Sequence, residues 1–108
     1  MSKKKARWEK MRTDESRKVE EVVRKEFPQT DAYRYNSASI RVRIIDPRFE
    51  GKSDEERDAM VEPILARLPE AVQADIMNLI TLFPDETKKS SRAAFLNAEF
   101  EDPSPSSL

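Results

Sequence analysis

A strand, a tight turn and the start of a capped helix follow one another within residues 37–60, and this order restricts the folds open to the chain. Residues 40–45 alternate between two faces with a period of two, which is typical of a strand. Pro47 ends the strand because proline cannot donate a backbone hydrogen bond. Gly51, the only glycine, permits a turn, and a Ser-x-x-Glu capping box at Ser53 starts a helix at the next residue. The chain therefore mixes strands and helices.

The first third of the chain predicts a helix and a hairpin. Residues 13–26 place valines at helical spacing, with Thr13 or Asp14 as the N-cap. Residues 31–35 resemble a short strand, and a turn connects them to the strand at 40–45. We therefore expect these two strands to pair as a β-hairpin.

The second half of the chain predicts two further helices, a strand and a last helix. Pro63 lies inside the helix that begins after Ser53, so we expect a kink or break there. A short helical turn follows, and residues 76–83 form the most apolar run. That run predicts a strand buried on both faces, central in the sheet and parallel to a neighbour. Asp85 or Ser90 is the candidate N-cap of the last helix.

The predicted order is α-β-β-α-(short α)-β-α, which belongs to the α+β class. A small three-stranded mixed sheet with helices packed on one face would bury the apolar stripes. Residues 13–100 are expected to form one domain, preceded by a basic, disordered arm at 1–12 and followed by a disordered tail at 101–108.

Composition excludes several functions. Lysine and arginine total 20 against 21 aspartates and glutamates, so the net charge of -1 gives no general attraction to nucleic acid or anionic membranes. No apolar run could span a bilayer and no signal-peptide pattern follows the basic N-terminus, so we expect a cytoplasmic protein without a membrane partner. Histidine and cysteine are absent, which removes thiolate catalysis and the usual ligands of zinc, haem and iron–sulfur clusters. We therefore expect no cofactor, no metal and no enzymatic activity.

An acidic cluster lies at the start of the helix after Ser53 and comprises Asp54, Glu55, Glu56 and Asp58. An oxygen-only magnesium or calcium site is one interpretation of this cluster. We favour the other, in which these carboxylates complement the helix dipole and remain solvated.

The central turn resembles the BolA-like family. Phe49, Gly51 and Ser53 keep the family's Phe-x-Gly-x-Ser spacing, and Arg57 lies where the first arginine of the following helix belongs. The resemblance covers roughly residues 15–100 and implies a class II K-homology-like α+β fold.

The three histidine positions of that family are occupied by Ser39, Asp58 and Asp75. The family's histidines are implicated in sharing an iron–sulfur cluster with a monothiol glutaredoxin. Serine and aspartate are poor ligands for such a cluster. The resemblance therefore implies a glutaredoxin-type contact without a shared cluster.

Two functional hypotheses follow. The first is a regulatory or adaptor domain that binds an unidentified protein partner and is itself a monomer or a weak homodimer formed through an exposed sheet edge. Its predicted partner-binding residues are Phe49, Glu50, Gly51, Lys52, Ser53 and Arg57. Phe49 is open to a second interpretation, as a core residue beside the turn.

The alternative hypothesis is a nucleic-acid-binding module. Its predicted residues are Lys3, Lys4, Lys5, Arg7, Arg34, Arg41, Arg43 and Arg48. Tyr33 and Tyr35 would provide a stacking platform for bases beside these arginines. Cross-strand packing, with the arginine stems covering the sheet edge, is the other interpretation of the same residues.

Overall fold

The computed structural model describes residues 6–106 and has the expected α+β class. Its helices are α1 (Asp14–Val23), α2 (Asp54–Leu65), α3 (Glu70–Asp75), α4 (Glu86–Lys89) and α5 (Ser91–Glu101). Its strands are β1 (Thr30–Asn36), β2 (Ser39–Ile45) and β3 (Ile76–Leu82), and short 3-10 turns cover Arg7–Met11 and Pro47–Phe49. The order of elements and the hairpin of β1 and β2 confirm the prediction.

Local capping chemistry determines where the long helices begin. The Ser53 hydroxyl accepts from the Glu56 N–H at 3.1 Å, and the Glu56 carboxylate accepts from the Ser53 N–H at 2.8 Å, which confirms the capping box. Thr13, rather than Asp14, caps α1. Ser90 caps α5 by accepting from the Ala93 N–H. These three helix starts could be predicted from the sequence because each capping side chain bonds to a residue three positions further along the chain.

Helix α2 continues through Pro63 to Leu65, so the expected break is absent. Pro63 lies in the last turn of the helix and on its exposed side. The ring therefore interrupts a single backbone hydrogen bond near a helix end, where the chain tolerates the loss.

The sheet order is β1-β2-β3, with β1 antiparallel and β3 parallel to β2. Parallel pairing of the third strand confirms the prediction, but its central position was wrong, because β2 is central and β3 lies at an edge. Only the second half of β3 is buried, whereas Met77 in its first half is 69% exposed. Helical cover on both faces, rather than a strand on both sides, accounts for the apolar sequence of that half.

The core has two parts, one on each face of the sheet. Helices α1 and α2 cover the expected face, where Phe27 stacks on Phe49 with ring centroids 5.4 Å apart. The other face is covered as well, by the turn Arg7–Met11 and by α5, whose Trp8 and Phe100 pack against Tyr33 of β1. Helices therefore cover both faces of the sheet, whereas the prediction placed them on one face only.

Both segments next to the termini belong to the folded unit, which corrects the predicted domain bounds. Trp8, placed in the predicted disordered arm, is 5% exposed and lies 5.4 Å from the Phe100 ring. Beyond α5, Pro103 is fully buried and the Tyr35 hydroxyl donates to the Ser104 carbonyl at 2.6 Å. These contacts complete the second face of the sheet. The predictions for 1–5 and 107–108 lie outside the described residues.

Side chains of α1 and of its C-cap residue Arg24 occupy part of the outer edge of β1. The Ala32 N–H donates to the Glu20 carboxylate at 3.0 Å, and the Arg24 guanidinium donates to the Thr30 carbonyl at 2.8 Å. These contacts satisfy backbone groups that would otherwise be open to a further strand. Between residues 6 and 106, the structure has no helix of the length and apolarity needed to cross a bilayer.

Candidate functional site

The turn between β2 and α2 presents four of the six predicted partner-binding residues at the surface. Glu50, Gly51, Lys52 and Ser53 are exposed. Gly51 has φ of +78°, a left-handed conformation that glycine adopts at little cost. Phe49, in contrast, is fully buried in the core, so it supports the turn from below and offers no contact surface.

Arg57 connects this turn to the edge of β3. It is 5% exposed, and its Nε donates to the Lys52 carbonyl at 3.0 Å. Its Nη1 donates to the Thr81 carbonyl at 2.8 Å and to the Glu86 carboxylate at 2.9 Å. Glu86 in turn accepts from the Phe83 N–H at 2.9 Å. Arg57 therefore acts as a buried clamp that fixes the turn relative to β3, rather than as an exposed contact.

The outer edge of β3 carries unpaired backbone groups. The Leu82 carbonyl accepts from the Asp46 N–H at 2.9 Å, so Leu82 directs its backbone groups toward β2. Backbone direction alternates along a strand, so Leu79 and Thr81 direct theirs outward. Arg57 takes the Thr81 carbonyl. Both backbone groups of Leu79 and the N–H of Thr81 are left without a partner among residues 6–106.

A groove of about 240 Å³ follows this edge, and we call it the β3 groove. Asp54 and Asp58 of α2 form one wall, and Arg92 and Leu96 of α5 form the other. Arg92 joins the two walls through an ion pair with Asp54 at 3.0 Å, in which both side chains are more than half exposed. The groove therefore has the backbone of β3 as its floor, an acidic wall formed by α2, and the exposed side chain of Arg92 across it.

Asp58 is the carboxylate of the groove without a cationic partner. No lysine or arginine within the described chain forms an ion pair with it, whereas Asp54 has Arg92. Burial raises the pKa of Asp58, and the nearby charges of Asp54 and Glu62 raise it further. A positive group entering the groove would relieve this repulsion.

The arginines predicted to bind nucleic acid are already paired with carboxylates of this chain. The ion pairs are Arg7–Asp102, Arg34–Glu15, Arg34–Asp75, Arg41–Glu99, Arg43–Asp31, Arg43–Glu101 and Arg48–Asp46. The side chain of Arg43 is only 7% exposed, so a phosphate could not reach it. Lys3, Lys4 and Lys5 lie outside the described residues.

The predicted stacking platform is occupied by the protein itself. Tyr33 is fully buried, which raises the pKa of its hydroxyl. The Arg41 guanidinium lies 3.7 Å from the centroid of the Tyr35 ring. These contacts agree with the cross-strand packing interpretation rather than with open rings for bases.

The structure gathers residues that sequence reasoning did not place together. Arg92 and Leu79 were not predicted to contribute to a site, and Asp58 was considered as part of an acidic cluster, for a metal ion or for the helix dipole, and at a histidine position of the BolA-like family. The spacing of Asp54, Asp58 and Glu62 at four-residue intervals was the one available signal, since it places three carboxylates on one side of a helix. In the part of the chain that the structure describes, no cluster of three or more acidic side chains is arranged to hold a metal ion.

Comparisons with protein-family models, curated proteins and solved structures give no match for this chain.

Proposed function

We propose that this chain is a non-enzymatic regulatory or adaptor domain that acts in the cytoplasm by binding another protein, without ligating an iron–sulfur cluster. The observation that carries the proposal is the clamp formed by Arg57, which holds the exposed turn and the open edge of β3 in a fixed relation. We call the exposed residues 50–53 and the outer edge of β3 the turn–edge surface. Because the clamp already fixes both parts, a partner can contact them together without the entropic cost of ordering a flexible segment.

The composition supports binding rather than chemistry. The chain has no histidine and no cysteine, the side chains most used for acid–base work, nucleophilic attack and cluster ligation. The resemblance of the central turn to the BolA-like family agrees with a glutaredoxin-type contact made without a cluster. The four exposed residues of the turn are available for such a contact.

Nucleic-acid binding is the less supported alternative. Binding to phosphates requires cations that are free to replace counterions. The described arginines of the predicted site already neutralise carboxylates within the chain. A phosphate would have to compete with those contacts.

Affinity capture from native lysate tests the proposal. The bait is the full chain, compared with a Lys52→Glu variant in the turn and a Lys18→Glu control. Lys18 lies in α1, which packs beside β1 at the opposite edge of the sheet, and its side chain is half exposed. We expect nuclease-resistant protein partners that are lost with Lys52→Glu and retained with Lys18→Glu. Recovery only of nucleic acid that disappears at moderate salt would contradict the proposal.

A further inference from the structure

We propose that the β3 groove binds an extended basic peptide, which adds a fourth strand to the outer edge of β3 and places a lysine or arginine side chain against Asp58. This inference rests on the proposed function, because the edge is part of the turn–edge surface. It specifies the chemistry of the partner and the way in which it binds.

The backbone of β3 favours an extended ligand. Leu79 offers one donor and one acceptor, and Thr81 offers a donor, all directed away from β2. An added strand satisfies such groups with main-chain hydrogen bonds, as in other domains that bind peptides at a sheet edge. The outer edge of β1 is occupied at Ala32 and Thr30 by the side chains of Glu20 and Arg24. The edge of β3 at Leu79 and Thr81 is therefore the more open of the two edges.

The charges beside this edge favour a cation on the added strand. Asp54, Asp58 and Glu62 follow one side of α2, and Arg92 is the one cation paired with any of them among the described residues. An added strand lies about 4.8 Å from β3. A lysine or arginine side chain on it is long enough to reach the carboxylates that line the groove. Asp58, which has no ion-pair partner among residues 6–106, gains most from this contact.

Arg92 occupies the position that the peptide cation would take. Its side chain is 70% exposed and that of Asp54 is 59% exposed, so solvent screens their ion pair. A peptide cation can therefore displace Arg92 at little cost. Arg92 acts as a weak internal competitor, and its removal should strengthen peptide binding.

A second copy of this chain fits the groove less well. Antiparallel pairing of two β3 edges about a twofold axis perpendicular to the sheet keeps the same face on the same side. In such a dimer the acidic side of α2 in one molecule would face the acidic side of α2 in the other. Like charges facing each other disfavour that dimer, whereas a basic peptide has the complementary charge.

The first test is selection from a synthetic library of blocked heptapeptides, randomised at all positions, with the full-length protein. We expect the selected peptides to be rich in β-branched residues and to carry a lysine or arginine at a consistent position. Selected sequences without a basic residue would overturn the inference.

N-methylation of a selected peptide tests whether it binds as a strand. Only alternate N–H groups of an added strand face β3, so methylation at those residues should abolish binding, and methylation at the residues between them should not. Equal effects at all positions would exclude strand addition.

The second test compares two variants with the same selected peptide, by fluorescence anisotropy. Asp58→Asn should weaken binding by at least about tenfold, because it removes a charged hydrogen-bond acceptor of unchanged shape. Arg92→Gln should strengthen binding several-fold. Circular dichroism checks that both variants are folded. Unchanged affinity in Asp58→Asn, or weaker binding in Arg92→Gln, would refute the inference.

The two proposals can fail separately. Protein capture that depends on Lys52, together with no selected basic peptide, would refute peptide addition and leave the adaptor function standing. Peptide binding that depends on Asp58, together with capture that ignores Lys52→Glu, would refute the proposed use of the turn.

Discussion

Arg57 and Arg92 allow the effect of burial on an ion pair to be measured within one small protein. The nitrogen–oxygen distances are nearly equal, 2.9 Å from Arg57 to Glu86 and 3.0 Å from Arg92 to Asp54. The side chains of the first pair are 7% and 16% exposed, and those of the second are 70% and 59% exposed. The nitrogen–oxygen distance is therefore nearly the same in the two pairs, while burial differs and Arg57 in addition donates to two backbone carbonyls.

Arg57→Gln should lower the free energy of unfolding by about 3–5 kcal/mol, because it leaves the largely buried carboxylate of Glu86 and two backbone carbonyls without their cationic donor. Arg92→Gln should lower it by less than about 1 kcal/mol, since water solvates both groups of that pair. Arg57→Lys should lie between these values, because lysine keeps the charge but cannot reproduce the geometry of the three contacts.

Urea unfolding followed by circular dichroism measures these differences. With a denaturant slope of about 1–3 kcal/mol per molar, the loss of Arg57 should lower the midpoint by at least about 1 M. The midpoint for Arg92→Gln should remain close to that of the unaltered protein. Equal shifts for the two glutamine variants would refute the reasoning that burial determines the strength of these pairs.

Three further changes have defined outcomes in the same unfolding assay. Phe49→Ala should cost about 3–5 kcal/mol, because the ring is fully buried, and a small cost would show that Phe49 is not a core residue. Gly51→Ala should cost about 1–2 kcal/mol from its positive φ alone, since an added Cβ meets no atom within 4 Å. Gly51→Asn should cost less, and equal costs would contradict the conformational cause. Because the pKa of Asp58 is raised in the folded state, that state binds more protons, and the contribution of Asp58 to stability falls as pH rises from its usual pKa through the raised value. Asp58→Asn should therefore reduce this slope and raise stability at neutral pH, and an unchanged pH profile would contradict the assignment of the raised pKa to Asp58.

Local patterns predicted the features whose causes are local. The capping box at Ser53 and the hairpin of β1 and β2 each depend on residues close together in the chain, and both predictions are confirmed. Parallel pairing of β3 was also predicted from its apolar sequence. That sequence reported burial correctly in the second half of the strand but could not distinguish cover by helices from cover by strands.

The features that sequence reasoning missed depend on contacts across the fold. The segment after α5 has a composition typical of disordered tails, yet Pro103 is fully buried and its carbonyl accepts from Arg7 at 2.8 Å. Arg57 and Glu86 are 29 residues apart, and no spacing rule links them. Arg43, predicted as a contact for phosphates, is instead held by Asp31, which lies opposite it in the hairpin, and by Glu101, which is 58 residues away and could not be linked to it by spacing.

The occupied edge of β1 has a consequence for self-association. Growth of a sheet into a fibril requires two open edges on every molecule, one to receive a neighbour and one to pass the pairing on. Glu20 and Arg24 occupy backbone groups at one edge. Edge-to-edge pairing through β3 alone therefore ends after two molecules, and at Thr30 and Ala32 the side chains of Arg24 and Glu20 hinder the addition of a strand at the other edge.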